Sequence, residues 1–273
     1  MPKSSINVLF VADVVGSPGI SLLDTFLASL IKKHKADFVI VNGENSHEGM
    51  GINEEIIRQF YSLGTHVITG GNHIFDKWKI YPYMKTDPNL LRPFNYPKGA
   101  HGFGYGIYDV PSQDCKIGVL NLQGRTFMQS IDDPFRTGEY VVDKIREQTN
   151  LLFIDFHAEA TAEKMAFAWH IENKASVMVG THTHIPTNDA RIMPGGMGYI
   201  TDAGMTGSFN SVIGMDKQTA IKRFLLGTPH KYKSANGDNR ICAVFSKIDK
   251  ETGKCLHIEP VLHPQFSNTK IEE

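Results

Sequence analysis

Five short apolar runs rich in Val, Ile, Leu and Phe mark the first two thirds of the chain, and each run ends at a polar residue, often beside glycine. Their length of roughly four to eight residues and their β-branched content predict buried strands. Helical patterns lie between them, and this alternation is typical of βαβ units on a mainly parallel sheet. The runs and their polar ends read NVLFVAD, ADFVIVNGEN, HVITGGNH, LLFIDFH and SVMVGTHTH.

The helical patterns repeat apolar residues at intervals of three and four, which predicts stripes that pack on the sheet. The first runs from Ser21 to Lys35 and carries lysines in its last turn, where they complement the helix dipole. From about Gly196, strand patterns follow one another with little helix between them, so we expect a second, largely antiparallel sheet. The fold class is therefore α/β, with two stacked sheets flanked by helices. The other predicted helices are Glu54 to Leu63, Tyr140 to Ile145, Ala162 to Ile171 and Asp216 to Leu226.

The composition is that of a globular protein with a full core. With 273 residues and 41% hydrophobic content, the chain can form one large domain, which we place at residues 1–265, in preference to two lobes that share a sheet. Residues 266–273 are predicted to be a frayed tail. The 28 basic and 29 acidic side chains nearly cancel, so there is no strong signal for binding nucleic acid or an anionic membrane surface.

Cysteine usage and the amino terminus indicate the compartment. Cys115, Cys242 and Cys255 are widely spaced, which argues against a disulfide framework or a zinc knuckle and favours buried thiols. There is no signal-peptide pattern, and no apolar stretch approaches the roughly 20 residues needed to span a bilayer. We therefore expect a cytoplasmic protein, and the sequence leaves homo-oligomerisation open.

The polar residues at the strand ends are the candidate chemistry. A parallel sheet gathers the carboxyl ends of its strands along one edge, and five successive ends in Asp, Glu, Asn or His indicate a metal site. A pair of divalent ions about 3.5 to 4 Å apart needs a bridging ligand and further ligands on each ion. Asp13 is the candidate terminal carboxylate, Glu44 the candidate bridge, and Asn45 and Asn72 could add amide oxygens. Alternatively, Asp13 caps the following helix and Asn45 is a turn residue.

Histidines supply the other candidates. His182 and His184 stand two residues apart in GTHTH, and on an extended segment both would point to the same side, toward a metal. A chance pair on a half-exposed strand is the alternative. His157 ends its run as a further imidazole, although a lone histidine at a strand end is often structural. In GGNH the glycines allow close approach to an anion, and His73 would act on the substrate.

Taken in order, VAD, NGEN, GGNH and GTHTH resemble the calcineurin-like metallophosphoesterase superfamily, which places an Asp, a second acidic residue, GNH and a late GHxH at consecutive strand ends. The chain departs from that pattern twice, with Val15 where a His follows the Asp and Glu44 where an Asp usually bridges. GEN, DFHAEAT and TDAGMTG resemble the bacterial YmdB-like branch, over almost the whole chain. The resemblance implies a four-layer α/β/β/α sandwich and a cyclic nucleotide phosphodiesterase.

The same resemblance implies two metal ions per chain and a role for each candidate residue. A hydroxide that bridges the ions would attack phosphorus in line while His73 protonates the leaving alkoxide. Iron or manganese, with zinc also suitable, fits carboxylate, amide and imidazole ligands better than calcium does. The implied substrates are small phosphodiesters, above all 2′,3′-cyclic nucleotides. The implied ligands are Asp13, Glu44, Asn45 and His184 for one ion and Glu44, Asn72, His157 and His182 for the other.

Two other classes of protein stay open. A non-catalytic regulatory protein could keep the metals and bind RNA or a protein partner, although the balanced charge and the presence of His73 weaken this reading. A nucleotide-binding α/β module could use the turn VVGSPG, but that turn lacks the GxGxxG spacing and leaves the HxH pattern unexplained. The Gly-rich segment 204–215 either borders the substrate or is an ordinary surface loop.

Overall fold

A computed structural model describes residues 4–111 and 113–265, and the predicted frayed tail at 266–273 lies outside the described residues. The strands are β1 (Ser5–Val11), β2 (Phe38–Asn42), β3 (Val67–Thr69), β4 (Tyr105–Asp109), β5 (Lys116–Gln123), β6 (Leu151–His157), β7 (Val177–Thr181), β8 (Arg191–Ile192), β9 (Gly198–Ile200), β10 (Gly207–Ser208), β11 (Asn239–Asp249) and β12 (Cys255–His263). The helices are α1 (Gly16–His34), α2 (Glu54–Ser62), α3 (Tyr81–Met84), α4 (Pro134–Arg146), α5 (Thr161–Ile171) and α6 (Lys217–Leu226), and a 3₁₀ helix, Trp78–Ile80, precedes α3.

The strands form two mixed sheets. In the first, β1, β2 and β3 are parallel, while β11 pairs antiparallel with β1 and carries β12 on its other side. In the second, β5, β6, β7 and β9 are parallel, and the edge strands β4 and β8 are antiparallel to their neighbours. Each sheet thus has a parallel centre whose strands point their carboxyl ends in one direction.

Three apolar cores separate four layers. The core between the sheets includes the stacked rings of Phe10 and Phe153, whose centroids lie 5.5 Å apart. α1 and α2 cover the outer face of the first sheet, where Leu23 and Phe60 are buried, and α4 and α5 cover the second around Phe167. Burial of each such side chain contributes about 1.5 to 3 kcal/mol. The predicted α/β/β/α sandwich is confirmed.

The carboxyl-terminal strands do not form a sheet of their own, so that expectation is wrong. β9 joins the second sheet beside β7, whereas β11 and β12 extend the first. The run from Arg240 to Val244 in β11 is buried without interruption. A strand buried on both faces needs a layer on either side, which a central position beside β1 supplies and a separate solvated sheet would not.

Two helices begin earlier than their apolar stripes predict. α1 starts at Gly16, and its N-cap residue Val15 makes no side-chain cap, so Asp13 does not cap this helix. α4 starts at Pro134 because the Asp133 carboxylate caps it, accepting the N–H of Phe135 at 2.8 Å. Helix starts depend on capping groups that lie outside the apolar stripe, which explains why periodicity alone places them late.

None of the helices in the described part of the chain is long and apolar enough to cross a membrane. The three cysteines are free, with Cys242 and Cys255 buried and Cys115 half-buried. The prediction of buried thiols therefore holds for Cys242 and Cys255, whereas Cys115 is only partly covered.

Candidate metal centre

The five polar strand ends meet, but across two sheets and not along the edge of one. In the first sheet, the polar residues follow β1, β2 and β3. In the second sheet, they stand at the end of β6 and after β7. Contacts between the sheets show the meeting directly: Asp13 lies 3.3 Å from His184, and Asn72 lies 2.9 Å from His157. The stacking of the sheets therefore brings together the seven residues predicted as ligands.

Glu44 lies at the centre of this cluster and is fully buried. Its Oε1 is 3.0 Å from His157 Nε2 and accepts Asn45 Nδ2 at 3.0 Å, while its Oε2 accepts the backbone N–H of His73 at 3.0 Å. Burial alone would raise the pKa of Glu44, but the His157 imidazole and the His73 N–H lower it to about 2. The carboxylate is thus ionised and contacts both halves of the cluster.

One half contains Asp13, Asn45 and His184. His184 Nε2 lies 3.3 Å from Asp13 Oδ2 and 3.2 Å from Asn45 Nδ2. The other His184 ring nitrogen, Nδ1, is 2.9 Å from the carbonyl oxygen of Ile213, which fixes the ring and turns Nε2 toward Asp13. Asn45 presents its NH₂ group here, so an oxygen ligand at this position requires the amide to rotate.

The other half contains Asn72, His157 and His182. His157 Nε2 lies 2.9 Å from Asn72 Oδ1 and 3.0 Å from His182 Nδ1, and a single ligand atom from each of Glu44, His157 and His182 falls within 4.8 Å of the others. Burial and the neighbouring His157 lower the pKa of His182 to about 3, so its ring is neutral and carries a lone pair for a cation. Burial would lower the pKa of His157, but the Glu44 and Asp13 carboxylates raise it to about 9.

Two features of the cluster fit metal ions. Asp13 Oδ1 is buried and has no hydrogen-bond partner among the described residues, which is costly for a carboxylate oxygen unless a cation meets it. His157 Nε2 has three polar atoms within 3.0 Å, from Asn72, Glu44 and His182, although one ring nitrogen carries at most one proton. The carboxylate, amide and imidazole donors suit a first-row transition metal.

The two histidines of GTHTH reach the cluster through a backbone conformation that the sequence did not predict. β7 ends at Thr181, and His182 and His184 have φ of +99° and +65°, so the segment is not extended. The backbone N–H of His182 donates to Asp13 Oδ2 at 3.2 Å, which helps hold this conformation. Left-handed backbone at non-glycine residues is a form of strain that concentrates at functional sites. Each histidine consequently faces a different half of the cluster.

His73 lies beside the cluster with a half-exposed ring. Its Nδ1 is 2.8 Å from Asp76 Oδ2, so Nε2 is the nitrogen left to act on a bound molecule. It borders two cavities, of about 340 and 380 Å³, which also share Met50 and His182 in their linings. The first is also lined by Ile213, Met215 and Arg223, so the segment 204–215 borders the site.

A polar layer beneath the ligands escaped the sequence analysis. The buried Asp155 carboxylate accepts Asn42 Nδ2 at 2.9 Å and the hydroxyls of Thr69 at 2.5 Å and Thr181 at 2.6 Å, which links strands of both sheets. Burial raises the pKa of Asp155 to about 6. The sequence feature that could have revealed Asp155 is that it is the only charged residue in the apolar run LLFIDFH. Glu159, 3.0 Å from His182 Nε2, was also given no role, although it lies in the DFHAEAT segment that carries part of the resemblance.

The four-layer fold with this cluster at the carboxyl ends of its parallel strands defines an enzyme of the metallophosphoesterase class. The YmdB-like protein family model matches residues 9–261, and the chain belongs to that family. It is 43% identical over 257 residues to the 2′,3′-cyclic-nucleotide 2′-phosphodiesterase of Bacillus subtilis, covering 94% of this chain and 97% of the relative.

Two solved structures show the same fold over nearly the full length. A hypothetical protein from Thermus thermophilus has a TM-score of 0.87 at 35% identity, covering 94% of this chain and 98% of that one. A novel phosphatase from Mycoplasma pneumoniae has a TM-score of 0.88 at 31% identity, covering 96% of this chain and 94% of that one. The four-layer sandwich is therefore shared with both structures.

Proposed function

We propose that this chain is a metal-dependent phosphodiesterase that hydrolyses small phosphodiesters, above all 2′,3′-cyclic nucleotides. The observation that carries the proposal is the position of Glu44, whose Oε1 lies 3.0 Å from His157 Nε2 in one half of the cluster and 3.0 Å from Asn45 Nδ2 in the other. Such a carboxylate between two groups of ligands suits a dinuclear centre. The name of the Bacillus subtilis relative supports the substrate class.

The proposed ligand sets follow the two halves of the cluster. Bound metal ions would lower the pKa of water toward 7 and stabilise charge on the phosphoryl group. Iron, manganese or zinc suits these donors. One set is Asp13, Glu44, Asn45 and His184, and the other is Glu44, Asn72, His157 and His182.

His73 is the proposed catalytic acid. Hydrolysis of a 2′,3′-cyclic phosphate breaks one bond between phosphorus and a ribose oxygen, and that alkoxide needs a proton as it leaves. Asp76 holds His73 Nδ1, so Nε2 can deliver the proton to the oxygen. A positioned imidazole of this kind contributes roughly 10² to 10⁴ in rate. The backbone N–H of the same residue also orients Glu44.

The test is elemental analysis combined with hydrolysis of 2′,3′-cyclic AMP and bis-p-nitrophenyl phosphate. We expect about two metal ions per wild-type chain, retained in His73→Ala and reduced in His182→Ala, with activity lost in both. His170→Ala is the matched control, because its half-exposed imidazole pairs with Glu139 in the helical layer. Fewer than one ion after reconstitution, or full activity in both site variants, would contradict the proposal. Two ions without turnover would favour a non-catalytic regulator instead.

A further inference from the structure

The aromatic ring of Phe127 is held in solvent at the mouth of the site. Its side chain is 89% exposed, and its backbone has φ of +61°, a left-handed conformation that bulky residues rarely adopt. Exposure of a phenylalanine and a strained backbone are both unfavourable in isolation. Their coincidence beside a catalytic centre suggests that the ring serves a bound molecule.

The loop that carries Phe127 is fixed on both sides of the ring. The Glu163 carboxylate, on α5, accepts the backbone N–H groups of Arg125 and Thr126, each at 3.1 Å. After the ring, the sulfur of Met128 accepts the backbone N–H of Glu159 at 3.3 Å. These contacts connect the loop to the elements that follow β6, so the scaffold sets the backbone position of Phe127.

Phe127 lines the larger of the two cavities that His73 borders. This cavity, of about 380 Å³, is lined by Phe127, Met128 and Gln129 together with Met50, His73 and the candidate ligand Asn72. If His73 protonates the leaving ribose oxygen, the nucleoside that carries this oxygen lies beside His73. The cavity that His73 shares with Phe127 then offers an aromatic ring to its base.

We propose that Phe127 is the base-stacking residue of this enzyme, and that it makes nucleoside 2′,3′-cyclic phosphates better substrates than base-free cyclic phosphates. The inference rests on the proposed function. Stacking on a phenyl ring accepts every base, since each has a π-face, and its strength grows with the area in contact. Purine nucleotides should therefore be preferred over pyrimidine nucleotides.

The experiment compares the holoenzyme and its Phe127→Ala and Phe127→Trp variants on 2′,3′-cyclic AMP and on ribose 2′,3′-cyclic phosphate. Phe127→Ala should raise KM for the nucleotide roughly 5- to 50-fold and leave the base-free substrate unchanged. Phe127→Trp should keep the preference. Phe224→Ala is the matched control, because Phe224 is 85% exposed but lies on α6 and is expected to affect neither substrate.

Equal losses on both substrates, or none on the nucleotide, would overturn the stacking role while leaving the phosphodiesterase in place. If the wild-type enzyme hydrolyses neither substrate, the proposed function is wrong. In that event, calorimetric binding of 3′-AMP and of inorganic phosphate decides the inference. The stacking role is supported if Phe127→Ala weakens the binding of 3′-AMP but not of phosphate. It is ruled out if the variant changes the binding of both ligands to the same extent.

Discussion

Lys164 Nζ lies 2.7 Å from Asp202 Oδ2, and both side chains are buried. The same carboxylate oxygen accepts the backbone N–H and the hydroxyl of Thr183, at 3.1 and 2.8 Å. Thr183 stands between the two histidines of the GTHTH segment. The ion pair therefore ties the loop that carries these candidate ligands to helix α5.

Lys164→Met should destabilise the protein by about 3 to 5 kcal/mol, because the Asp202 carboxylate would stay buried without its cation. Urea unfolding followed by circular dichroism measures the change. Lys144→Met is the control, since Lys144 forms an exposed pair with Glu147, and no measurable change is expected there. The double variant Lys164→Met with Asp202→Asn should recover part of the lost stability. A single variant as stable as the wild type would refute the anchoring role.

Strand ends and helix stripes were predictable because each is a local property of composition and period. The sheet to which a strand belongs is not local: β11 pairs with β1, which lies more than 200 residues earlier in the chain. The burial of Lys164 is likewise a result of tertiary packing, since an isolated lysine in a helix suggests a solvated face.

The candidate ligands were found because their residue types are unusual at the ends of apolar runs. The arrangement of these ligands in space was harder to predict from the sequence. His182 and His184 have left-handed backbone, and backbone N–H groups of this segment donate to the Asp13 and Asp202 carboxylates, which are partners that residue types alone do not reveal. The sequence did not single out Phe127, because whether an aromatic residue in a loop is exposed or buried is decided only in the folded chain.

Gly71 leaves the space in which Glu44 and His157 meet. A Cβ at this position would overlap Glu44 Oε2 and His157 Nε2, so Gly71→Ala should weaken metal binding roughly 10- to 100-fold. Gly70→Ala is the matched control, because the three atoms nearest to its Cβ would all belong to Ile74, the first at 2.9 Å. Both variants should lose some thermal stability, but only Gly71→Ala should lose metal after dialysis. Equal metal content in the two would show that this space is not part of the site.

Asp76 orients His73 through the 2.8 Å contact to Nδ1. Asp76→Asn should lower kcat roughly 10- to 100-fold with metal content unchanged, because the imidazole loses its fixed orientation. Residues that act as a unit give non-additive losses, so His73→Ala combined with Asp76→Asn should be no slower than His73→Ala alone. Asp109→Asn is the control, since that carboxylate is exposed and its nearest cation is Lys116 at 3.9 Å. If the losses of kcat in His73→Ala and Asp76→Asn were additive in the double variant, Asp76 would not act through His73.

His66 makes the stability of the fold depend on pH. Its Nδ1 accepts the backbone N–H of Val39 at 3.0 Å, its ring stacks on Phe38, and burial lowers its pKa below 6.5. The unfolded chain then binds a proton more readily than the folded one, so stability is lost as pH falls from about 6.5 toward the folded pKa. His66→Gln can keep an acceptor but cannot titrate there.

Urea midpoints at pH 7.5 and pH 5.5 should therefore differ less for His66→Gln than for the wild type. Groups common to both proteins cancel in this comparison, including the histidines of the metal centre. If His66→Gln keeps the full wild-type pH dependence, the neutral ring of His66 contributes nothing to acid sensitivity.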